Sequence, residues 1–286
     1  MNVRQLSISR RPITIAAALM AVVSLAIGAH AALNKRALDA ARAAATEQSG
    51  NAAHGRSKVA LVIGNGHYPD ANAPLVQPIN DARALTAALR RDGFDVDVVE
   101  DASRDDMTRA IGRLKSKIKP DSVVMLFFGG YGIEAGRESY MIPVDAMIWK
   151  EADVRRDGFS IEAVLDMMKE QGACAKLVVL DASRRNPYER RFRTFSHGLA
   201  PINAPDNALI LSSATPGKVA DDSHGEHSVL MAELLNNLDG HMVAADTVFN
   251  KTRVAISRAS DGAQVPSVSS SLLEDIHFSA PENAGG

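Results

Sequence analysis

Two short apolar runs, each followed at once by small or polar residues, most constrain how this chain can fold. Residues 123–128 (VVMLFF) lead into 129–132 (GGYG), and residues 177–180 (LVVL) lead into 181–184 (DASR). Each run is continuously apolar, partly β-branched and short, which is typical of a buried parallel strand. Open α/β sheets place their ligand sites at the carboxyl ends of strands. We therefore predict that the two loops share one edge of a sheet and form a site there.

The rest of the chain alternates between strand and helix patterns. Apolar runs or alternation predict further strands at 59–63, 94–99 and 208–211. Apolar residues at helical spacing predict helices at about 82–89, 104–118, 161–168, 227–238 and 245–257, with Asn80-Asp81 as the cap of the first. Residues 140–145 favour a short edge hairpin, and 184–206 a long loop. Strands that alternate with helices predict the α/β class, with a mostly parallel sheet covered on both faces.

Composition restricts the partners and the covalent links. The chain is 46% hydrophobic and 23% charged, as expected for a globular protein, and its net charge of −2 gives no reason to expect nucleic acid as a partner. A single cysteine excludes an internal disulfide and leaves the redox compartment undecided.

The amino-terminal segment predicts export. Residues 1–32 combine three arginines, an uncharged and mostly apolar stretch at 13–27, and a small-x-small sequence at 29–31, which together are typical of a cleaved signal peptide. The alternative is an uncleaved membrane anchor, because the apolar stretch approaches the length of a span. We expect a periplasmic or extracellular protein, or one anchored with its body outside the cytoplasm; only the anchor would make the membrane a partner. Residues 33–57 are interpreted as a linker, 58–278 as the folded domain and 279–286 as a polar tail.

The two strand-end loops resemble those of the caspase-like peptidases, which comprise caspases, metacaspases and bacterial orthocaspases. In that family the first strand ends in a Ser-Gly-His-Gly type loop and the second in Asp-Ala-Cys-Arg or a close variant, with the histidine about 50 residues before the cysteine. Here 52 residues separate Tyr131, at the histidine position, from Ser183, at the cysteine position. Further matches lie at 61–65 with Tyr68, 80–82, 140–146, 186–188, 198–200, 214–217 and 264–266. The resemblance implies a three-layer α/β/α sandwich around a mostly parallel six-stranded sheet.

Both residues of the catalytic dyad are therefore replaced. A serine hydroxyl needs an adjacent base, and a phenol with a pKa of about 10 is ionised in roughly one molecule per thousand at pH 7. Our main interpretation is an inactive pseudopeptidase that retains peptide or partner binding. One alternative is an active endopeptidase with a preference for basic residues, in which Ser183 is the nucleophile and Tyr131, in a positive local field, or another residue is the base. A second alternative is a scaffold subunit.

The resemblance also implies a pocket for a basic side chain. Metacaspases and orthocaspases prefer Arg or Lys at the cleaved position, and their acidic pocket residues correspond to Asp81 and Asp181 in this sequence. Two carboxylates suit a guanidinium or ammonium group, so a peptide or protein ligand with an Arg or Lys side chain is the expected partner. Each residue also has a structural interpretation, because Asp81 fits a helix cap and Asp181 could accept backbone amides. Gly129 stands where the family usually has a serine.

Other residues are weaker candidates for a functional site. Cys174 precedes the strand at 177–180 and would lie at the opposite edge of the sheet, so we do not expect it to be a nucleophile. His224 and His227 lack further ligands nearby, and the family's calcium cluster is not recognisable, so no metal is expected. Residues 64–66 (GNG) follow a strand but lack the spacing of a phosphate loop, which favours a turn. No cofactor is expected.

Overall fold

A computed structural model describes residues 56–69, 74–185, 187–188, 198–220, 225–238 and 243–279. The main sheet within these ranges has six strands in the order β2-β1-β3-β7-β8-β9. All neighbouring pairs are parallel except the last, in which β9 runs antiparallel to β8. These strands are β1 (Lys58–Gly64), β2 (Asp95–Glu100), β3 (Val123–Gly129), β7 (Ala175–Asp181), β8 (Ala208–Ser212) and β9 (Ser267–Ser270).

A second, antiparallel sheet follows β3 directly. It consists of β4 (Gly132–Ala135), β5 (Glu138–Met141) and β6 (Phe159–Ser160), in that order. The predicted hairpin at 140–145 is therefore displaced towards the amino terminus, because Tyr140 and Met141 belong to β5 and pair with Ile133 and Gly132 on β4.

Six helices lie in the described residues, and five of them cover the main sheet. The helices are α1 (Gln77–Arg91), α2 (Arg104–Lys117), α3 (Glu151–Asp157), α4 (Ile161–Glu170), α5 (Val229–Leu238) and α6 (Ala245–Ala259). Helix α2 begins where the sequence predicts, because Ser103 caps it by accepting the backbone N–H of Asp106 at 3.2 Å. Helix α1 begins earlier than predicted, since Pro78 lies in its first turn, so Asp81 lies inside the helix and is not its cap.

The two faces of the sheet have separate cores. Side chains of β3 alternate between them, with Val123, Met125 and Phe127 on one face and Val124, Leu126 and Phe128 on the other. The first face packs against α1, α5 and α6, and the second against α2 and α4. Since both faces are covered, the central strands are mostly apolar, and the buried Lys176 near the start of β7 is an exception. The predicted α/β/α sandwich around a mostly parallel six-stranded sheet is confirmed.

The ends of the folded region meet at the amino edge of the sheet. The Nζ of Lys58, at the start of β1, donates to the carbonyl of Phe278 at 2.5 Å and lies 5.6 Å from the centre of the Phe94 ring. Residues 1–55, which contain the predicted signal peptide and most of the linker, and residues 280–286 of the tail lie outside the described residues. No helix among the described residues is long and apolar enough to span a membrane.

Candidate functional site

The backbone brings the two predicted loops together at the carboxyl edge of the sheet. Gly129 and Asp181 are register partners at the ends of β3 and β7. Beyond the strands, Gly130 N–H donates to the carbonyl of Asp181 at 3.2 Å, and Gly132 N–H donates to the carbonyl of Ala182 at 2.9 Å. The positions of Tyr131 and Ser183 are thus set by main-chain hydrogen bonds, as the strand pattern predicts.

Tyr131 lies in an apolar cluster beneath this edge. Its backbone N–H donates to the hydroxyl of Tyr68 at 3.1 Å, and the two rings meet edge to face with their centroids 4.7 Å apart. The Tyr68 hydroxyl donates in turn to the carbonyl of Ile142 at 2.9 Å. Tyr131 is 8% exposed and packs with Ile133 and Tyr188, among others. Burial in this cluster raises the pKa of Tyr68 well above its ordinary value, so Tyr68 is a neutral phenol.

Ser183 is buried and bonded to another hydroxyl. Its Oγ lies 3.4 Å from the Oγ of Ser212, at the end of β8, and its carbonyl accepts the N–H of Ala220 at 2.7 Å. Ser183 as a whole residue is only 1% exposed. Among the described residues, the hydroxyl of Ser183 therefore contacts a serine hydroxyl, and not an imidazole or a carboxylate.

Asp81 and Asp181 lie close enough for the charge of one to affect the other. We call these two carboxylates and the residues that bond them the acidic pocket. Both are buried, Asp81 on α1 and Asp181 at the end of β7. The Asp81 carboxylate accepts the N–H of Ser228 at 3.3 Å, and Nδ1 of His227 lies 2.9 Å from its Oδ1. Burial, and next the negative charge of Asp181, raise the pKa of Asp81 to about 6. The interpretation of Asp81 as a helix cap is wrong, because Asp81 reaches across to the start of α5.

The second carboxylate has an internal cation as its partner. Nη2 of Arg184 lies 3.2 Å from Oδ2 of Asp181, and both side chains are almost fully buried. The chain turns back on itself to allow this contact, since Arg184 N–H donates to the carbonyl of Ala182 at 2.9 Å. Asp181 therefore forms a buried ion pair; among the described contacts its carboxylate is bonded to Arg184, and not to a backbone amide as in the alternative interpretation.

The weaker candidates have structural roles. Sγ of Cys174 lies at the other edge of the sheet and donates to the carbonyl of Asp121 at 3.2 Å, while burial raises the pKa of the thiol. Asn65, in the predicted turn after β1, accepts the N–H of Ala102 at 2.8 Å and donates to the carbonyl of Ile142 at 3.2 Å. This turn thus holds neighbouring loops together.

A metal centre is not evident among the described residues. They contain no group of three or more His, Cys, Asp or Glu side chains arranged to hold an ion. His224, one of the two histidines considered as ligands in the sequence, lies outside these residues.

Three contacts that the structure shows at the expected site residues were not predicted from the sequence. His227 and Arg184 contact the two carboxylates, and Ser212 contacts Ser183. For Arg184, the i, i+3 spacing from Asp181 was a usable signal. His227 and Asp81 are 146 residues apart in the sequence, so no local sequence pattern indicated their contact.

Comparisons with known proteins agree with this architecture. Residues 57–277 match the family described as the caspase domain. A stretch of 147 residues is 30% identical to the human mucosa-associated lymphoid tissue lymphoma translocation protein 1, and 138 residues are 31% identical to its mouse homologue. These stretches cover 50% and 47% of this chain but only 17% and 16% of the relatives, so the chain corresponds to a small part of each.

A solved structure shows the same fold. The crystal structure of the Drosophila initiator caspase Dronc aligns with a TM-score of 0.56 and 12% sequence identity, over 77% of this chain and 82% of that one. At this identity the likeness concerns the fold alone. The family match, by contrast, extends over most of the sequence. This chain belongs to the caspase domain family.

Proposed function

We propose that this protein is a caspase-like pseudopeptidase that binds peptides or a protein partner through a basic side chain and does not cut them. The observation that carries the proposal is the contrast between the two buried carboxylates and the nearby Ser183. Asp181 and Asp81 lie close enough for the charge of one to affect the other, whereas Ser183, two residues after Asp181, has a buried hydroxyl bonded to Ser212.

The arrangement around Ser183 argues against nucleophilic chemistry. A serine becomes a nucleophile when a base within hydrogen-bond reach takes its proton. The contact with Ser212 offers no base. A tyrosine base would have to be a phenolate, which at the ordinary phenol pKa of about 10 is present in roughly one molecule per thousand at pH 7. Tyr131 packs among apolar side chains.

The acidic pocket supports binding of a cation. Asp81 and Asp181 each have a hydrogen-bonded or charged partner, yet burial and the charge of Asp181 still raise the pKa of Asp81, so ionised Asp81 remains unfavourable there. Groups with strongly shifted pKa values concentrate at functional sites. A guanidinium or ammonium group would relieve the repulsion between Asp81 and Asp181, which makes an Arg or Lys side chain the ligand that best fits this pocket.

We also propose that the protein acts outside the cytoplasm, in the periplasm or the extracellular space. Support for this comes from the arginines, apolar stretch and small-x-small sequence of residues 1–32.

The test is hydrolysis of fluorogenic peptides that end in Arg or Lys, together with binding of the same peptides. We expect no turnover by the native protein or by Ser183→Ala, and measurable turnover by the Tyr131→His, Ser183→Cys double variant, because the pocket is retained while the dyad is restored. Turnover by the native protein that Ser183→Ala abolishes would establish the endopeptidase instead.

The scaffold alternative is separated by binding. If the native protein captures a partner and Asp81→Ala and Asp181→Ala capture it equally well, the acidic pocket is not the binding site and the interaction lies elsewhere on the domain.

A further inference from the structure

The acidic pocket already contains one positive charge of its own. Arg184 pairs with Asp181 at 3.2 Å, and the two residues are 4% and 2% exposed. Asp81 is close enough for the charge of Asp181 to influence it, and His227 and the Ser228 amide bond it from the start of α5. Among these described groups, Asp81 and Asp181 are two carboxyl groups and Arg184 is the guanidinium that pairs with one of them.

We propose that Arg184 is a specificity-determining residue of the acidic pocket: it neutralises Asp181 and thereby limits the pocket to a ligand group with a single positive charge, held mainly by Asp81. This inference rests on the proposed function of the pocket and deepens it. It assigns the two carboxylates different partners, an internal guanidinium for Asp181 and an external cation for Asp81.

Burial makes this internal cation effective. Charges that are removed from water interact more strongly than surface charges and are screened less by salt. A guanidinium next to Asp181 therefore repels a second cation that approaches the same carboxylate, and like charges brought together at an interface weaken binding considerably.

The position of Arg184 also links the pocket to Ser183. Arg184 is the next residue in the chain, and the Ser183 carbonyl is fixed by the N–H of Ala220 at 2.7 Å. A ligand that displaced Arg184 from Asp181 would have to move this loop as well. The expected ligand therefore occupies the Asp81 side and leaves the ion pair intact.

The experiment compares two labelled peptide amides, one ending in arginine and one in citrulline, which has nearly the same shape without the charge. Fluorescence anisotropy on the full chain gives the ratio of their affinities, which we call the charge selectivity. Arg184→Gln leaves two carboxylates without the internal cation, so we expect its charge selectivity to exceed that of the native protein by about tenfold or more. Arg185→Gln is the matched control, since Arg185 is exposed and adjacent; we expect it to equal the native protein.

The outcomes separate this inference from the proposed function. Native selectivity for arginine that is equal in Arg184→Gln and Arg185→Gln overturns the inference and leaves the proposed function standing. No selectivity in the native protein but clear selectivity in Arg184→Gln would mean that Arg184 closes the pocket to every cation, which overturns both the assignment of an external cation to Asp81 and the proposed function. No selectivity in either protein overturns both.

A second measurement covers the case in which Arg184→Gln is poorly folded. Millimolar methylguanidinium, compared with the same concentration of sodium chloride, is expected to raise the unfolding temperature of Arg184→Gln by replacing the lost guanidinium beside Asp181. The native protein and Arg185→Gln should respond less, because their Asp181 is already paired and only Asp81 is left for the added cation. A variant that remains unfolded or unchanged with methylguanidinium counts against the inference.

Discussion

Replacing Asp81 by asparagine removes a carboxylate whose ionised form is unfavourable in the acidic pocket. Burial and the charge of Asp181 raise the pKa of Asp81 from 3.8 to about 6. One pKa unit corresponds to about 1.4 kcal/mol, so ionised Asp81 at pH 7 costs the folded protein about 3 kcal/mol relative to an ordinary aspartate. Asparagine retains an oxygen that can accept the Ser228 N–H. We therefore expect Asp81→Asn to increase the free energy of unfolding at pH 7 by up to about 3 kcal/mol.

The gain should depend on pH in a defined direction. Below about pH 4, Asp81 is protonated in the folded and the unfolded states, and its raised pKa contributes its full stabilisation. Between about pH 4 and 6 the unfolded chain releases the proton while the folded protein keeps it, so this contribution decreases as the pH rises. Above about pH 6 it is lost. The stability of Asp81→Asn relative to the native protein should therefore increase over this interval and then become constant.

Urea unfolding at about pH 4, 5, 6 and 7.5 measures this difference. Asp166→Asn, the same chemical change at an exposed position of α4, is the control and should show no such trend. Equal effects of Asp81→Asn at pH 4 and 7.5, or a variant that is less stable than the native protein at pH 7.5, would refute the reasoning. Asp81→Asn should also lose the preference for arginine over citrulline peptides, so the more stable protein would be the poorer binder.

Three further predictions concern how residues around the site contribute to the stability of the fold. Tyr68→Phe removes the acceptor of the Tyr131 N–H and should lower the free energy of unfolding by about 1–3 kcal/mol in urea. Gly132→Ala places a Cβ 2.5 Å from a leucine side chain and 2.9 Å from a backbone oxygen, so it should be clearly destabilising. Gly112→Ala is its control: this helical glycine has open space around it, so the alanine should increase the free energy of unfolding by up to about 1 kcal/mol in the same assay. Ser183→Ala removes one long hydroxyl contact and should change stability by no more than about 1 kcal/mol; a larger loss would show that this hydroxyl is essential to the loop.

The central strands were predictable because their burial is complete. Residues 123–128 and 177–180 are apolar on both faces, and the structure places them in β3 and β7 in the centre of the sheet. Strand β9 escaped prediction, since it has four residues, three of them serines, and lies at an edge where only one side is paired. A short polar strand is defined by its neighbour, and the neighbour, β8, lies far away in sequence.

The candidate site was likewise predictable only in part from the sequence. The positions of Tyr131 and Ser183 follow from the ends of two strands, which is a local property of the sequence. The pairing of Asp81 with His227 depends on how α1 packs beside the start of α5, and the ion pair of Asp181 with Arg184 depends on a turn after β7. Asn80-Asp81 before an apolar helix favours a cap, and only Pro78 in the first turn indicated that the helix begins earlier.

The contact between Lys58 and Phe278 has a practical consequence for how the domain can be tethered. Lys58 begins β1, so the carbonyl of Phe278 lies with it at the amino edge of the sheet. Tyr131, Ser183 and Asp181 follow strands and lie at the opposite, carboxyl edge. A sensor surface, a bead or a fluorescent tag joined beyond either Lys58 or Phe278 would therefore attach behind the site, so both ends are equivalent choices for immobilisation and neither should obstruct an incoming peptide.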